Sequence, residues 1–167
     1  METEAAFLAT MTESPADDAP RLIYADWLEE RGQPEYAEFI RLQCQLDPER
    51  DRYDDSAVNA LRERVETLLR AMTKTEDEWL YSSVGRRYAI LPRWRRGFID
   101  SLDLTAQAFL QHGEQLRQRY PLLRKLVLFR LNGWGERLAQ CEWLRGIREI
   151  DLPCWYADDD ARAIAAS

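Results

Sequence analysis

Residues 98–105 read FIDSLDLT, and the pattern inside them returns twice. PLLRKLVLFR at 121–130 and RGIREIDLPC at 145–154 place apolar side chains at the same offsets. Ile99, Leu102 and Leu104 are followed by Leu123, Leu126 and Leu128, then by Ile147, Ile150 and Leu152, with a constant step of 24 residues. Tyr120 and Leu144 keep the same step. Each segment follows LxxLxL with Ile allowed. A period of this length predicts one strand and one returning segment per unit, with the strands forming a small parallel sheet.

The spacing is that of a leucine-rich-repeat-like array of about three units over 98–167. The returning segments are AQAFLQHGEQLRQRY, GWGERLAQCEWL and DDDARAIAA. Asp158 to Asp160 read as the capped, acidic start of the last helix, a simpler reading than a calcium site. One feature departs from the usual repeat: Gln107, Leu131 and Trp155 stand where Asn or Cys normally makes buried turn bonds.

Upstream, residues 1–83 read as helices. Thr3 to Met11 form a short apolar helix. Asp17 or Asp18 can accept bonds from the first free N–H groups of the next helix, and Pro20 sits in its first turn. That helix runs to Arg31 and stops at Gly32. Pro34 opens another, with Tyr36, Phe39, Ile40 and Leu46 facing inward. SAVNALRERVETLLRAM follows, with Val58, Leu61, Val65, Leu68, Leu69 and Met72 in one apolar stripe. A separate short helix is expected around Glu76 to Tyr81, anchored by Trp79. Segment 84–97 is an Arg-rich connector.

Asp26 stands among Leu22, Ile23, Tyr24, Ala25, Trp27 and Leu28, and a buried carboxylate needs a partner. Its own helix offers only Glu29 and Glu30 nearby, so Arg41 on the next helix is the expected partner in a structural ion pair.

The net charge of −7 is uneven: residues 1–83 hold 20 acidic and 9 basic side chains, and 84–167 hold 10 and 14. An acidic chain is a weak starting point for general nucleic-acid binding. No apolar run reaches the roughly 18 residues that span a membrane. The acidic N-terminus lacks the basic region of a secretory signal. Cys44, Cys141 and Cys154 are an odd number without CxxC spacing, which argues for a reduced, cytoplasmic protein without disulfide or zinc framework.

The stretch DDAPRLIYADWLEERGQPEYAEFIRLQ resembles the bacterial repeat-companion domain, an N-terminal module that precedes leucine-rich repeats. RRGFIDSLDLT and ADDDARAIAAS resemble that module's exit and a helix of such repeats. The resemblance implies a helical cap that shields the hydrophobic edge of the first repeat. It brings no catalytic residues.

Two surfaces follow as candidates. Outward rows cross the strands: Ser101, Lys125, Glu149; Asp103, Val127, Asp151; Thr105, Phe129, Pro153. Lys125, Val127, Phe129, Glu149, Asp151 and Trp155 form the expected protein-binding set, on the concave face or at the open edge of the array. The alternative is a nucleic-acid surface in which Arg86, Arg87, Arg93, Arg95 and Arg96 interleave with Tyr88 and Trp94. No GxSxG, P-loop, GxGxxG or HExxH motif is present, and His112 is the only histidine. The expectation is a non-catalytic adaptor or regulatory subunit without cofactor or metal, bound to another protein and to no membrane.

Overall fold

The structure, a computed structural model, describes residues 3–48, 55–85, 91–131 and 133–153. Its described residues form a mixed α/β chain of six α-helices and a four-stranded open mixed sheet. The chain divides into two compact units: Met1–Asp77 with Trp94–Phe98, and Glu78–Arg93 with Ile99–Ser167.

The first unit is built on helices. Phe7 and Met11, one turn apart, are the buried residues of α1 (Glu4–Glu13). At the start of α2 (Ala19–Glu29), the Ala19 N–H donates to Asp17 Oδ1 at 2.9 Å, and a proline occupies the first turn. That helix ends where Gly32 takes φ +78°. In α3 (Pro34–Leu46), Ala37, Phe39, Ile40 and Cys44 are buried. Phe39 packs with Val65 and Leu68 of α4 (Ser56–Leu80), joined by Leu69 and Met72 from the expected stripe.

Helix α4 runs unbroken for 25 residues, correcting the expectation of a separate helix near Glu76. No Gly or Pro falls between Ser56 and Val84, so nothing in the chain stops the helix there. It passes into a π-helical turn at Tyr81–Gly85.

In the second unit, β2 (Phe98–Thr105), β3 (Lys125–Phe129) and β4 (Glu149–Asp151) are parallel neighbours. Ser101 is level with Lys125 and Glu149, and Leu102 with Leu126 and Ile150. The 24-residue step read from the sequence is therefore the strand register. Leu102, Leu104, Leu126 and Leu128 are fully buried. Between β2 and β3 runs α5 (Ala106–Arg119), capped by the Thr105 side chain, which accepts from Ala108 N–H at 3.2 Å.

The return from β3 to β4 is reduced to α6 (Gly135–Ala139) and a 3₁₀ turn at Glu142–Leu144, where a helix was expected. Glycines occupy 133 and 135, at the start of that segment, and each costs a helix interior about 1 kcal/mol relative to Ala. The third returning segment, with Asp158 to Asp160, lies outside the described residues.

The sequence reading missed β1 (Leu91–Arg95), which lies inside the expected connector and pairs with β2 at the sheet's other edge. Arg96 and Gly97 form the two-residue link, both with positive φ (+50° and +88°). That is the turn geometry matching the twist of a tight hairpin.

Candidate binding surface

In the first unit, one stripe of α3 grips the hairpin turn. Tyr36 Oη donates to Gly97 O at 3.1 Å, and Gly97 N–H donates to Gln43 Oε1 at 2.7 Å. Ile40 lies so close that a Cβ on Gly97 would come within 2.4 Å of its Cγ1. Asp47, one turn beyond Gln43, accepts from Arg95 Nε at 2.7 Å and from Arg96 Nε at 2.9 Å. Arg96 also donates to the Ala16 carbonyl at 2.9 Å and lies 3.3 Å from Asp18. The Asp47 side chain is 8% exposed, and its two guanidinium partners hold its carboxyl below the usual aspartate range. Trp94 and Phe98 flank the turn and join an aromatic cluster: Trp94 stands edge-on to Phe39 at 5.6 Å, and Phe98 lies 5.9 Å from Tyr24.

This geometry bears on the candidate nucleic-acid surface. Arg93, Arg95 and Arg96 all have carboxylate partners, and Trp94 Nε1 is buried. Arg86, Arg87 and Tyr88 lie outside the described residues.

Asp26 does meet Arg41: Nη2 lies 2.6 Å from Asp26 Oδ1 and 2.6 Å from Glu29 Oε2. The expectation of a buried charge is corrected, since the Asp26 side chain is 70% exposed. Tyr24, Ala25 and Leu28 are buried in the core, while Leu22, Ile23 and Asp26 are exposed. The pair is a surface bridge between α2 and α3, of a type that contributes about 0–1 kcal/mol.

In the second unit, charge alternates across the outward face of the sheet. Arg93 on β1 grips Asp103 on β2 with two bonds of 3.1 and 2.7 Å. Lys125 on β3 donates to Glu149 on β4 and lies 4.0 Å from Asp151. At the base of the strands, Arg124 donates to Asp100, the residue 24 positions before it. Glu149 raises the Lys125 ammonium above its ordinary range.

The outward rows are less open than expected at one end. Ser101, Asp103 and Thr105 are buried, and so is Val127 at 8% exposure. For Asp103 the reason is visible: the unforeseen β1 brings the Arg93 guanidinium onto it. Lys125 and Phe129 are half-buried, while Glu149 and Asp151 are exposed. Trp155 lies outside the described residues. The solvent-facing part of the surface thus belongs to β3 and β4.

A further concavity of about 480 Å³, not foreseen from the sequence, is lined by Trp79, Ser83, Gln115, Gln118 and Arg119. The Arg119 guanidinium lies over the Trp79 ring at 4.8 Å and Tyr120 stands edge-on at 5.9 Å, so the aromatic floor is already occupied. Burial pushes the Cys44 thiol up to about 12, which keeps it protonated and poorly nucleophilic at neutral pH. His112 is half-buried on α5. No cluster of three metal-ligating side chains occurs among the described residues, and no helix among them is long and apolar enough to cross a membrane.

Comparison with protein-family models, with curated proteins and with solved structures finds no match to the chain.

Proposed function

We propose that the chain is a non-catalytic recognition module for another protein, an adaptor or regulatory subunit. It would combine a repeat-companion-like helical unit with a short leucine-rich-repeat-like array of 24-residue units. The carrying observation is the strand face: three strands in 24-residue register that present the half-buried Lys125 and Phe129 beside the exposed Glu149 and Asp151. Fixed charges of alternating sign on a sheet favour partner selection, because a mismatched charge costs more than a matched one contributes. A cytoplasmic setting accords with the unpaired Cys44 and Cys141.

The nucleic-acid alternative has less support. A phosphate-binding arginine must release its present partner, and Arg95 and Arg96 share the nearly buried Asp47.

The test is a nuclease-treated pull-down from the source organism's lysate. It compares the unaltered protein with Lys125→Glu/Glu149→Lys, which keeps the ion pair and inverts the face. A single protein retained by the first and lost by the second supports the reading. Equal retention by both, or nucleic acid as the only specific bound species, refutes it.

A further inference from the structure

We propose that the outer edge of β4 adds an extended peptide segment in parallel register, with an acidic residue opposite Arg148 and Lys or Arg opposite Glu149 and Asp151. This deepens the recognition reading above and rests on it.

The two sheet edges differ. β1 carries Pro92, which lacks an N–H and weakens that edge as a pairing template. β4 contains no proline and has no outer strand neighbour among the described residues. Arg148 and Glu149 N–H both donate to Arg124 O, at 2.8 and 3.1 Å, so the start of β4 is turned toward β3 and the alternation begins at Glu149. Backbone groups alternate sides along a strand, so the N–H and C=O of Ile150 point to the open side. Such an edge invites strand addition, in which main-chain bonds supply affinity and side chains supply selectivity.

The charge pattern selects the occupant. Every strand junction inside the sheet carries a complementary pair: Arg93 with Asp103, Arg124 with Asp100, and Lys125 with Glu149. On the outer side of β4, Arg148 and Asp151 lack a close partner of opposite charge among the described residues, and Glu149, already bonded to Lys125, keeps room for a second cation. Arg148 is the 24-residue equivalent of Arg124, but the residue its N–H meets just before β3 is Arg124 itself, at 2.8 Å, rather than an acid. It is exposed and has no ion-pair partner among the described residues. Asp151 is 55% exposed and has only the distant Lys125, and Glu149, though it accepts from Lys125, is still 62% exposed on its other side. A parallel strand that completes these pairs reads acid, base, any residue, base. The opposite sign pattern would set like charges side by side, which is unfavourable in cross-strand pairs.

The experiment is fluorescence polarisation of short capped peptides against the full chain. One peptide reads VTDKVKVT, and a second, VTKEVEVT, inverts every charge. The first is expected to bind at least about ten-fold more tightly than the second, as two or three exposed cross-strand pairs allow. Arg148→Glu/Glu149→Lys/Asp151→Lys is expected to reverse the preference, and binding of the inverted peptide also shows that this variant is folded. Equal binding of both peptides, no binding of either, or an unchanged preference in the variant overturns the proposal. Self-association lost in the same variant would make a second copy the occupant and overturn it too. A protein captured in the pull-down without any peptide binding overturns the edge assignment and leaves the recognition reading standing.

Discussion

Gly97→Ala separates two costs that the hairpin turn combines. Gly97 has φ +88°, a conformation that costs an L-residue about 1–2 kcal/mol. The new Cβ would also lie 2.4 Å from Ile40 Cγ1 and 3.1 Å from Ile40 Cα. Ile40 is fully buried, and its Cα belongs to α3, so a rotamer change alone cannot clear the clash. Forced overpacking of this type costs about 1–3 kcal/mol. The sum is about 2–5 kcal/mol, a large share of an ordinary domain's stability. Gly32→Ala is the matched control in the same unit, since Gly32 has φ +78° and nothing within 4 Å of its built Cβ. It bears only the conformational cost. Urea unfolding followed by tryptophan fluorescence measures both variants. Gly97→Ala is expected to be the less stable by about 1–3 kcal/mol. Equal losses would refute the clasp of the turn by Ile40.

Three further outcomes follow from the same geometry. Asp47→Asn should lower the urea midpoint at neutral pH and flatten its dependence on pH. The folded Asp47 holds its proton more weakly than the unfolded chain, so its contribution is complete above the ordinary value of about 3.9 and lost as pH falls through the depressed folded value; an identical acid limb in protein and variant would contradict this. Peptide-resolved thiol labelling at about pH 8 should modify the half-buried Cys141 well before Cys44, which should react only on unfolding; rapid labelling of Cys44 in the folded protein would show the site to be open. Asp26→Asn should cost less than about 1 kcal/mol, because the pair with Arg41 is solvent-exposed; a larger loss in the urea midpoint would mean that the pair is shielded from water.

What was legible in the chain is what periodicity encodes. The recurrence from Ile99 to Leu123 to Ile147 matches the register of β2, β3 and β4, because one aliphatic residue per level builds one apolar layer. The α4 stripe was readable for the same reason. β1 was not, because LPRWR alternates large apolar and charged residues over only five positions and contains a proline. Its signal lay next door, in the Arg96–Gly97 pair between two short extended runs. Burial of the charged Asp103 could not be read without that strand, which brings Arg93 onto it. The partner of Asp26 was legible from the shortage of bases on its own helix, whereas its exposure was not. Leu22 and Ile23 made the surrounding stretch look interior, yet they are 40% and 55% exposed. Asp47 drew no attention in the sequence, because its partners lie 48 and 49 residues away.

The most direct test of the recognition account is photo-crosslinking in cells of the source organism. A photoreactive amino acid is placed at Asp151 on the exposed end of the strand face, and at Ala71 on α4 as an exposed control. One discrete protein adduct is expected from position 151 and none of the same kind from position 71. Adducts from both positions alike, or from the α4 position alone, would contradict it.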